Sequence, residues 1–439
     1  IAPCRQRKIL RNLWQEITGR DTSEGPLTVA RTPLLGPRVL RNFLLLYGST
    51  MFSGLGWGMV LPTIPVLAVS FDVSLGAAAQ TVTAWATGRF VGTPVSGIVL
   101  DRTEPRMMMV VGAAVTAVAA IAAFASPGFV WLLIALFVVG AVEPSWNLGR
   151  EVAGIDLASQ NQRGRVMSGF HGVHSAGMTL GPLAGGFLTV SAGFRYVFVA
   201  YALVAALAAL CGLAVDRPSG AGMPRPSARN TVRRFGLGYW TGRIFALYRE
   251  VAPPFRRTYA VLVVATCASL MCRLTLQSML PLYAGGHLGF SPVEVGALFS
   301  ISGVVVFFMI VPAGFVLDKV GRKWATVPSN LIPAVVFFII PLADTFLQLA
   351  VLLSLMGVAN GLSLGCLATT TYDVVPQHAR GRLQAMRRTI ADFVGLGAPA
   401  GGGMLANAFH PGIPFLALTP ALWVSALLLA FAAKETLER

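Results

Sequence analysis

Charge is what this sequence has least of. Of its 439 residues only 12% are Asp, Glu, Lys or Arg, about half the share of a water-soluble domain. Acidic residues are the scarcer kind, 18 against 34 Lys and Arg. That deficit excludes a string of ordinary soluble domains. Cysteine is rare too: Cys4, Cys211, Cys267, Cys272 and Cys366 show no CxxC or zinc spacing, so a disulfide framework is not expected. The histidines are scattered, and no phosphate-binding loop, metal cluster or nucleophile–base pair stands out. Neither an enzyme nor a metal or other cofactor is expected.

What is present is long apolar runs. Hydrophobic residues make up 55% of the chain. Twelve stretches reach the ~20 residues that cross a bilayer core, and 107–126, 196–215, 324–343 and 411–433 do so without a formal charge. Such spans must bond their own backbone, so they are helices. The expected fold class is an all-α polytopic membrane protein with 12 transmembrane helices.

Charge placement sets the orientation. With the N-terminus inside, 31 of the 34 Lys and Arg fall in inner segments; only Arg195 falls outside, and Arg89 and Arg273 lie within spans. This positive-inside pattern puts both termini in the cytoplasm of a plasma (inner) membrane. The excess positive charge then faces anionic membrane lipid, not nucleic acid. The N-terminal tail, 1–41, shows no cleavable signal peptide. Its Ile9, Leu10, Leu13, Trp14 and Ile17, interleaved with Arg5, Arg7, Lys8 and Arg11, fit a helix lying on the inner membrane surface or a disordered basic tail.

The chain repeats itself at an offset of 217: Gly97, Leu100 and Asp101 return as Gly314, Leu317 and Asp318, Gly140 as Gly357, Asp156 as Asp373, Arg163-Gly164-Arg165 as Arg380-Gly381-Arg382, and Pro182 as Pro399. Six spans per half is an even number, so both halves point the same way. They are expected as two six-helix bundles, 42–216 and 258–433, related by a pseudo-two-fold along the membrane normal. Between them 217–257 is read as a cytoplasmic linker, with Trp240, Ile244, Leu247 and Val251 suggesting a surface helix; 434–439 is a cytoplasmic tail.

Two loops carry the same motif. One reads Gly97-Ile-Val-Leu-Asp101-Arg102-Thr-Glu104-Pro105-Arg106 and the other Gly314-Phe-Val-Leu-Asp318-Lys319-Val-Gly321-Arg322-Lys323. Glycine lets helices approach closely, and an aspartate at a span's end can bond a helix N-terminus or an arginine. Span 5 carries Gly177-Met-Thr-Leu-Gly181-Pro182-Leu-Ala-Gly185-Gly186. At these residues the sequence resembles the major facilitator superfamily, most closely its 12-span drug:proton antiporter branch. The first loop lacks one glycine and one basic residue of the family signature. The arginine that the branch carries early in span 4 is absent; Leu136 stands there. The resemblance implies alternating access, with gating by Gly97, Asp101, Arg102, Gly314, Asp318, Arg322, Gly181, Pro182 and Arg388, and a central cavity lined by spans 1, 4, 7 and 10. It also implies an organic substrate, protons as coupling ion and export as direction.

Ionisable residues inside spans are costly and are functional candidates by default. Arg89 lies in span 2, Glu143 in span 4, Arg273 in span 7 and Asp392 in span 11. Trp85 stands four residues before Arg89, within cation–π reach. Glu143 aligns with Asn147, and Arg273 with Gln277, at helical spacing. Trp57 and Asn360 lie on spans 1 and 10. Arg273, Arg89, Trp57, Asn147, Gln277 and Asn360 are therefore expected to bind substrate, and Glu143, Asp392 and His171 to handle the proton. Pro144 frees the carbonyl of Gly140 and leaves a polar kink at Glu143. Asp392 has two structural alternatives: a pair with Arg89 across spans 2 and 11, or with Arg388 in its own helix.

The expected function is secondary active transport by a monomer, through proton-coupled export of a small or amphiphilic organic compound. Two alternatives stay open. One is an organic-anion or lysolipid transporter using the buried arginines. The other is a non-transporting membrane assembly factor with this fold.

Overall fold

Backbone in hydrocarbon has no water to bond, and every regular element among the described residues is an α-helix or a short 3-10 or π continuation of one. The computed structural model describes residues 37–100, 102–158, 163–216, 248–363, 366–376 and 379–435. Asn42–Arg439 form one compact unit; of the preceding unit, Ile1–Arg41, only the turn that begins the first long helix is described. The surface helix expected in the tail, and Trp240, Ile244 and Leu247 of the linker, lie outside the described residues.

Among the described residues nine helices are long and apolar enough to cross a membrane. Trp131, Phe308 and Phe431 stand exposed on them, where a soluble protein would present charge. The chain is an integral membrane protein. Three stretches expected to span are not among the nine: Gln80–Leu100, Arg163–Ser191 and the pair Arg380–Gly395 and Gly397–Ala408. They carry Arg89, the paired histidines, and Arg387, Arg388 and Asp392, polar residues that lower their hydropathy.

In chain order the helices are α1 (Pro37–Val60), α2 (Leu75–Ala78), α3 (Gln80–Leu100), α4 (Pro105–Phe124), α5 (Phe129–Leu157), α6 (Arg163–Ser191) and α7 (Phe194–Ala214). They continue as α8 (Arg256–Pro281), α9 (Pro292–Phe315), α10 (Pro328–Ile339), α11 (Phe346–Ser363), α12 (Arg380–Gly395), α13 (Gly397–Ala408) and α14 (Ile413–Leu427). The sequence repeat returns as a repeat of packing. Helix α3 packs on α5, α4 on α5 and α4 on α7; in the second half α9 packs on α11, α10 on α11 and α10 on α14. Even polar contacts repeat. Arg106 Nε donates to the Gly212 carbonyl at 3.1 Å and Nη2 to that of Leu213, and its counterpart Lys323 donates to the Ala430 carbonyl at 2.9 Å. Both cations sit at a helix C-terminus, where backbone carbonyls lack partners.

The halves touch along two seams, α6 on α9 and α3 on α12 and α13, and the short α2 caps α13. Glycines make the first seam. Gly186 meets the backbone of Pro292, Gly296 that of Pro182, and Gly303 meets Thr179. On its other side α6 turns Gly177, Gly181 and Gly185 to the backbone of α1 at Met51, Leu55, Gly58 and Met59. The glycine-proline motif is thus flat on two faces at once, one for each neighbour.

Gly97 and Gly314 do not behave this way. The loop motif predicts close helix approach at both, yet nothing lies within 4 Å of where a Cβ would stand. A side chain at either position would meet open space. At the opposite end Gly76 meets Gly403 and Asn407, Gly285 meets Pro65, and Gly286 meets Leu75.

Val251, grouped by the sequence with a linker surface helix, is fully buried in an apolar cluster with Tyr259, Leu262, Ala325 and Leu383. Beside it Glu250 pairs with Arg382 at 3.1 Å.

Candidate functional site

Gly88 and Gly92 of α3 face the backbone of α5 at Phe137 and Ala141, while Gly140 of α5 faces Trp85 in return. This reciprocal fit draws the two backbones together. It delivers Trp85 and Arg89, one turn apart on α3, to Glu143 on α5. Trp85 Nε1 donates to Glu143 Oε2 at 2.9 Å, and Arg89 lies 3.7 Å from Oε1. Asn147, one turn along α5, donates to Oε1 at 3.2 Å and accepts from Ser53 of α1 at 3.4 Å. The carboxylate is only 9% exposed in its side chain, so two hydrogen-bond donors and a nearby guanidinium replace the water it has lost.

This cluster forms one wall of a cavity of about 250 Å³ between the two halves of the chain. Trp57 stacks on Trp85 with ring centres 4.2 Å apart and planes 12° from parallel. Arg89 stands over the Trp85 ring at 5.4 Å, as the i, i+4 spacing predicts. The other wall carries Arg273 and Gln277 of α8, Asn360 of α11, and Arg388 and Asp392 of α12. Arg388 pairs with Asp392 at 3.2 Å inside its own helix. The alternative pair of Arg89 with Asp392 is not made; Arg89 is engaged by Glu143, although α3 does pack on α12.

Arg273 stands apart. Among the described residues it makes no hydrogen bond and no ion pair with a carboxylate, and it is exposed to the cavity. Three further lining groups are buried without a partner: Trp57 Nε1, His174 Nδ1 and Gln277 Oε1.

Not every expected site residue reaches the cavity. Arg89, Glu143, Trp57, Arg273, Gln277, Asn360, Arg388 and Asp392 line it. Asn147 does not; it acts on Glu143 from behind. His171 does not either, and the lining histidine of α6 is His174. The two share a helix face three residues apart, so rotation of α6 by a fraction of a turn decides between them. Phe299, Ser302, Gly303 and Val306 of α9 also line the cavity; as uncharged residues in an apolar span, they carry no sequence signal.

Among the gating candidates, Gly181 and Pro182 lie in the packing between α1, α6 and α9. Arg322 pairs with Asp373 at 2.9 Å and donates to the Leu317 carbonyl at 2.7 Å, while Arg102 is exposed in a turn. Asp101 and the side chain of Asp318 lie outside the described residues.

The Major Facilitator Superfamily pattern matches residues 46–293 and 262–439. Multidrug resistance protein 2 of Bacillus subtilis (strain 168) is 21% identical over 373 residues, covering 84% of this chain and 90% of that one. An uncharacterized MFS-type transporter of Mycobacterium tuberculosis (strain ATCC 25618 / H37Rv) is 26% identical over 333 residues, covering 72% and 68%. The fold superposes on a D-xylose–proton symporter with TM-score 0.69, at 17% identity, over 91% of this chain and 98% of that one. It also superposes on a bacterial homolog of the human lysosomal transporter Spinster, in an inward-facing and unoccupied conformation, with TM-score 0.67, at 16% identity, over 91% and 96%. A repeated helical frame around a charged cavity, matched by this family over nearly its whole length, is a membrane transporter and not an enzyme: the chain belongs to the major facilitator superfamily.

Proposed function

We propose that this chain is a proton-coupled secondary transporter of the plasma (inner) membrane that exports a small or amphiphilic organic compound. Twelve spans form two six-helix bundles with both termini cytoplasmic, and the bundles rock about the seams α6–α9 and α3–α12/α13. The observation that carries this reading is Glu143: a carboxylate in the wall of the central cavity, held by Arg89, Trp85 and Asn147. A proton arriving on Glu143 cancels its attraction for Arg89. A compound entering the same cavity competes with that proton by changing the field around the pair. Either ligand thus biases the other's occupancy, which is what coupling requires.

The conformation is read as inward-facing. Contacts between the halves gather at the end bearing Gly76, Gly286 and Asn407, which the charge pattern places outside. Space opens at Gly97 and Gly314, which it places inside. The kinship with a protein named for multidrug resistance supports export, as does the glycine-proline motif of α6.

The test is counterflow of a labelled compound library in proteoliposomes at two pH values, followed by proton flux for each hit. A hit whose transport moves protons in the opposite direction is the expected result. Transport of hits at a rate indifferent to pH and without proton movement overturns the coupling.

A further inference from the structure

We propose that the compound this cavity carries is an amphiphilic organic acid, with its anionic group on Arg273 and a hydrogen-bonding group beside it on Gln277. This rests on reading the cavity as the transport site.

Charge balance in the lining favours an acid. The lining holds three guanidinium groups and two carboxylates. Glu143 is matched by Arg89 and Asp392 by Arg388. Arg273 has no carboxylate among the described residues, so the lining keeps one positive charge over. A lone cation in a membrane protein is tolerated where it faces a water-filled cavity or awaits a counter-charge. A lipophilic cation would add a second unmatched positive charge, while an acid removes the first.

Orphaned polar atoms beside Arg273 call for a hydrogen-bonding group on the same compound. Gln277 follows Arg273 by four residues and lies on the same face of α8. Its Oε1 is buried without a partner. Opposite, Trp57 is 4% exposed and its Nε1 has no acceptor. Buried polar groups are nearly always paired; these two border the cavity, and an occupant is what can pair them. An acid whose backbone carries an amide N–H or a hydroxyl meets all three needs. Its anion takes Arg273, its donor takes the glutamine, and an oxygen of that polar group accepts from the indole N–H.

The remaining wall is apolar. Met178, Leu270, Leu274, Phe299, Val306 and Leu396 line the cavity with apolar surface, which calls for an apolar body attached to the acid. A free organic acid and a single-chain anionic lipid share this chemistry.

The experiment measures binding by isothermal titration calorimetry to the full chain in phosphatidylcholine nanodiscs. The probes are N-(2-naphthoyl)glycine, its methyl ester, the ester-linked acid 2-naphthoyloxyacetate, the amine N-(2-naphthoyl)ethylenediamine, and oleoyl lysophosphatidate. The amide acid is expected to bind at least tenfold more tightly than its methyl ester, and the amine most weakly. Arg273→Gln is expected to lose about tenfold or more for the acid with the loss absent for the ester; Arg273→Lys falls between, lacking the planar fork. Gln277→Leu is expected to erase a preference of about fivefold for the amide acid over the ester-linked acid, the size of one hydrogen bond. Whichever of the glycine conjugate and the lysophosphatidate depends more on Arg273 identifies the source as free acid or lipid. Tighter binding of the amine, binding of no acid, or equal losses for acid and ester in Arg273→Gln overturns the inference. If the acids fail while another compound still exchanges for protons through Glu143, only the substrate class is wrong. If the acids bind through Arg273 but nothing is transported, the class stands and the transport reading falls.

Discussion

The amide of Gly76 donates to Asn407 Oδ1 at 2.8 Å across 331 positions of sequence, and Asn407 Nδ2 donates onward to Ser74 at 2.9 Å. One side chain therefore ties α2 to α13 at the end of the molecule that the charge pattern places outside. Asn407→Ala removes both bonds. Together they are worth about 1–3 kcal/mol, so the balance should move by about fivefold to 150-fold toward an outward-open form. Spin labels at positions 72 and 409 should report longer distances by double electron–electron resonance. An unchanged distribution would show that the outer contact rests on packing alone.

The ion pair of Arg89 and Glu143 makes a separate claim about stability. Removing one partner strands a poorly hydrated charge, a loss of about 1–3 kcal/mol for a pair whose arginine is 38% exposed. Arg89→Gln should lower the melting temperature measured in detergent. The double variant Arg89→Gln/Glu143→Gln should recover most of that loss, because neither charge is left alone. A double variant as unstable as the sum of the singles would mean the two residues act independently.

The glycine seam gives a packing test. A Cβ on Gly181 would stand 2.6 Å from the Leu55 carbonyl oxygen and 2.9 Å from Gly58 Cα, both backbone atoms with little freedom to yield. Gly181→Ala should cost about 1–3 kcal/mol and slow exchange between conformations. Gly401→Ala, where nothing lies within 4 Å, should leave the melting temperature unchanged or raise it slightly. Equal behaviour of the two variants would remove the argument from close approach.

Topology can be read by labelling. In a cysteine-free background, Ala192→Cys should react with a membrane-impermeant maleimide on intact cells, and Arg102→Cys only after permeabilisation. Both side chains are exposed, so access depends on side alone. The opposite pattern would invert the orientation.

Much of this was legible in the sequence, and the boundary has a physical cause. Contacts within one helix follow from spacing: Trp85 with Arg89, Arg388 with Asp392 and Glu143 with Asn147 all sit one turn apart. The internal repeat carried the packing, down to Arg106 and Lys323 on equivalent carbonyls. What was hidden is rotation. A span that is apolar on every side does not say which face turns inward. So the partner of Arg89, the choice of His174 over His171, and the contribution of α9 to the cavity emerged only with the helices in place. Asn407 was invisible for another reason: its partners are a backbone amide and a serine in a distant loop.

Whether Glu143 carries the coupled proton turns on one variant. Glu143→Gln keeps the size and a hydrogen-bonding end but cannot titrate. In proteoliposomes holding a transported compound, it should still exchange labelled for unlabelled compound across the membrane. It should no longer drive that compound against its concentration when a pH gradient is imposed. Gradient-driven accumulation by Glu143→Gln equal to that of the unaltered chain would contradict the account.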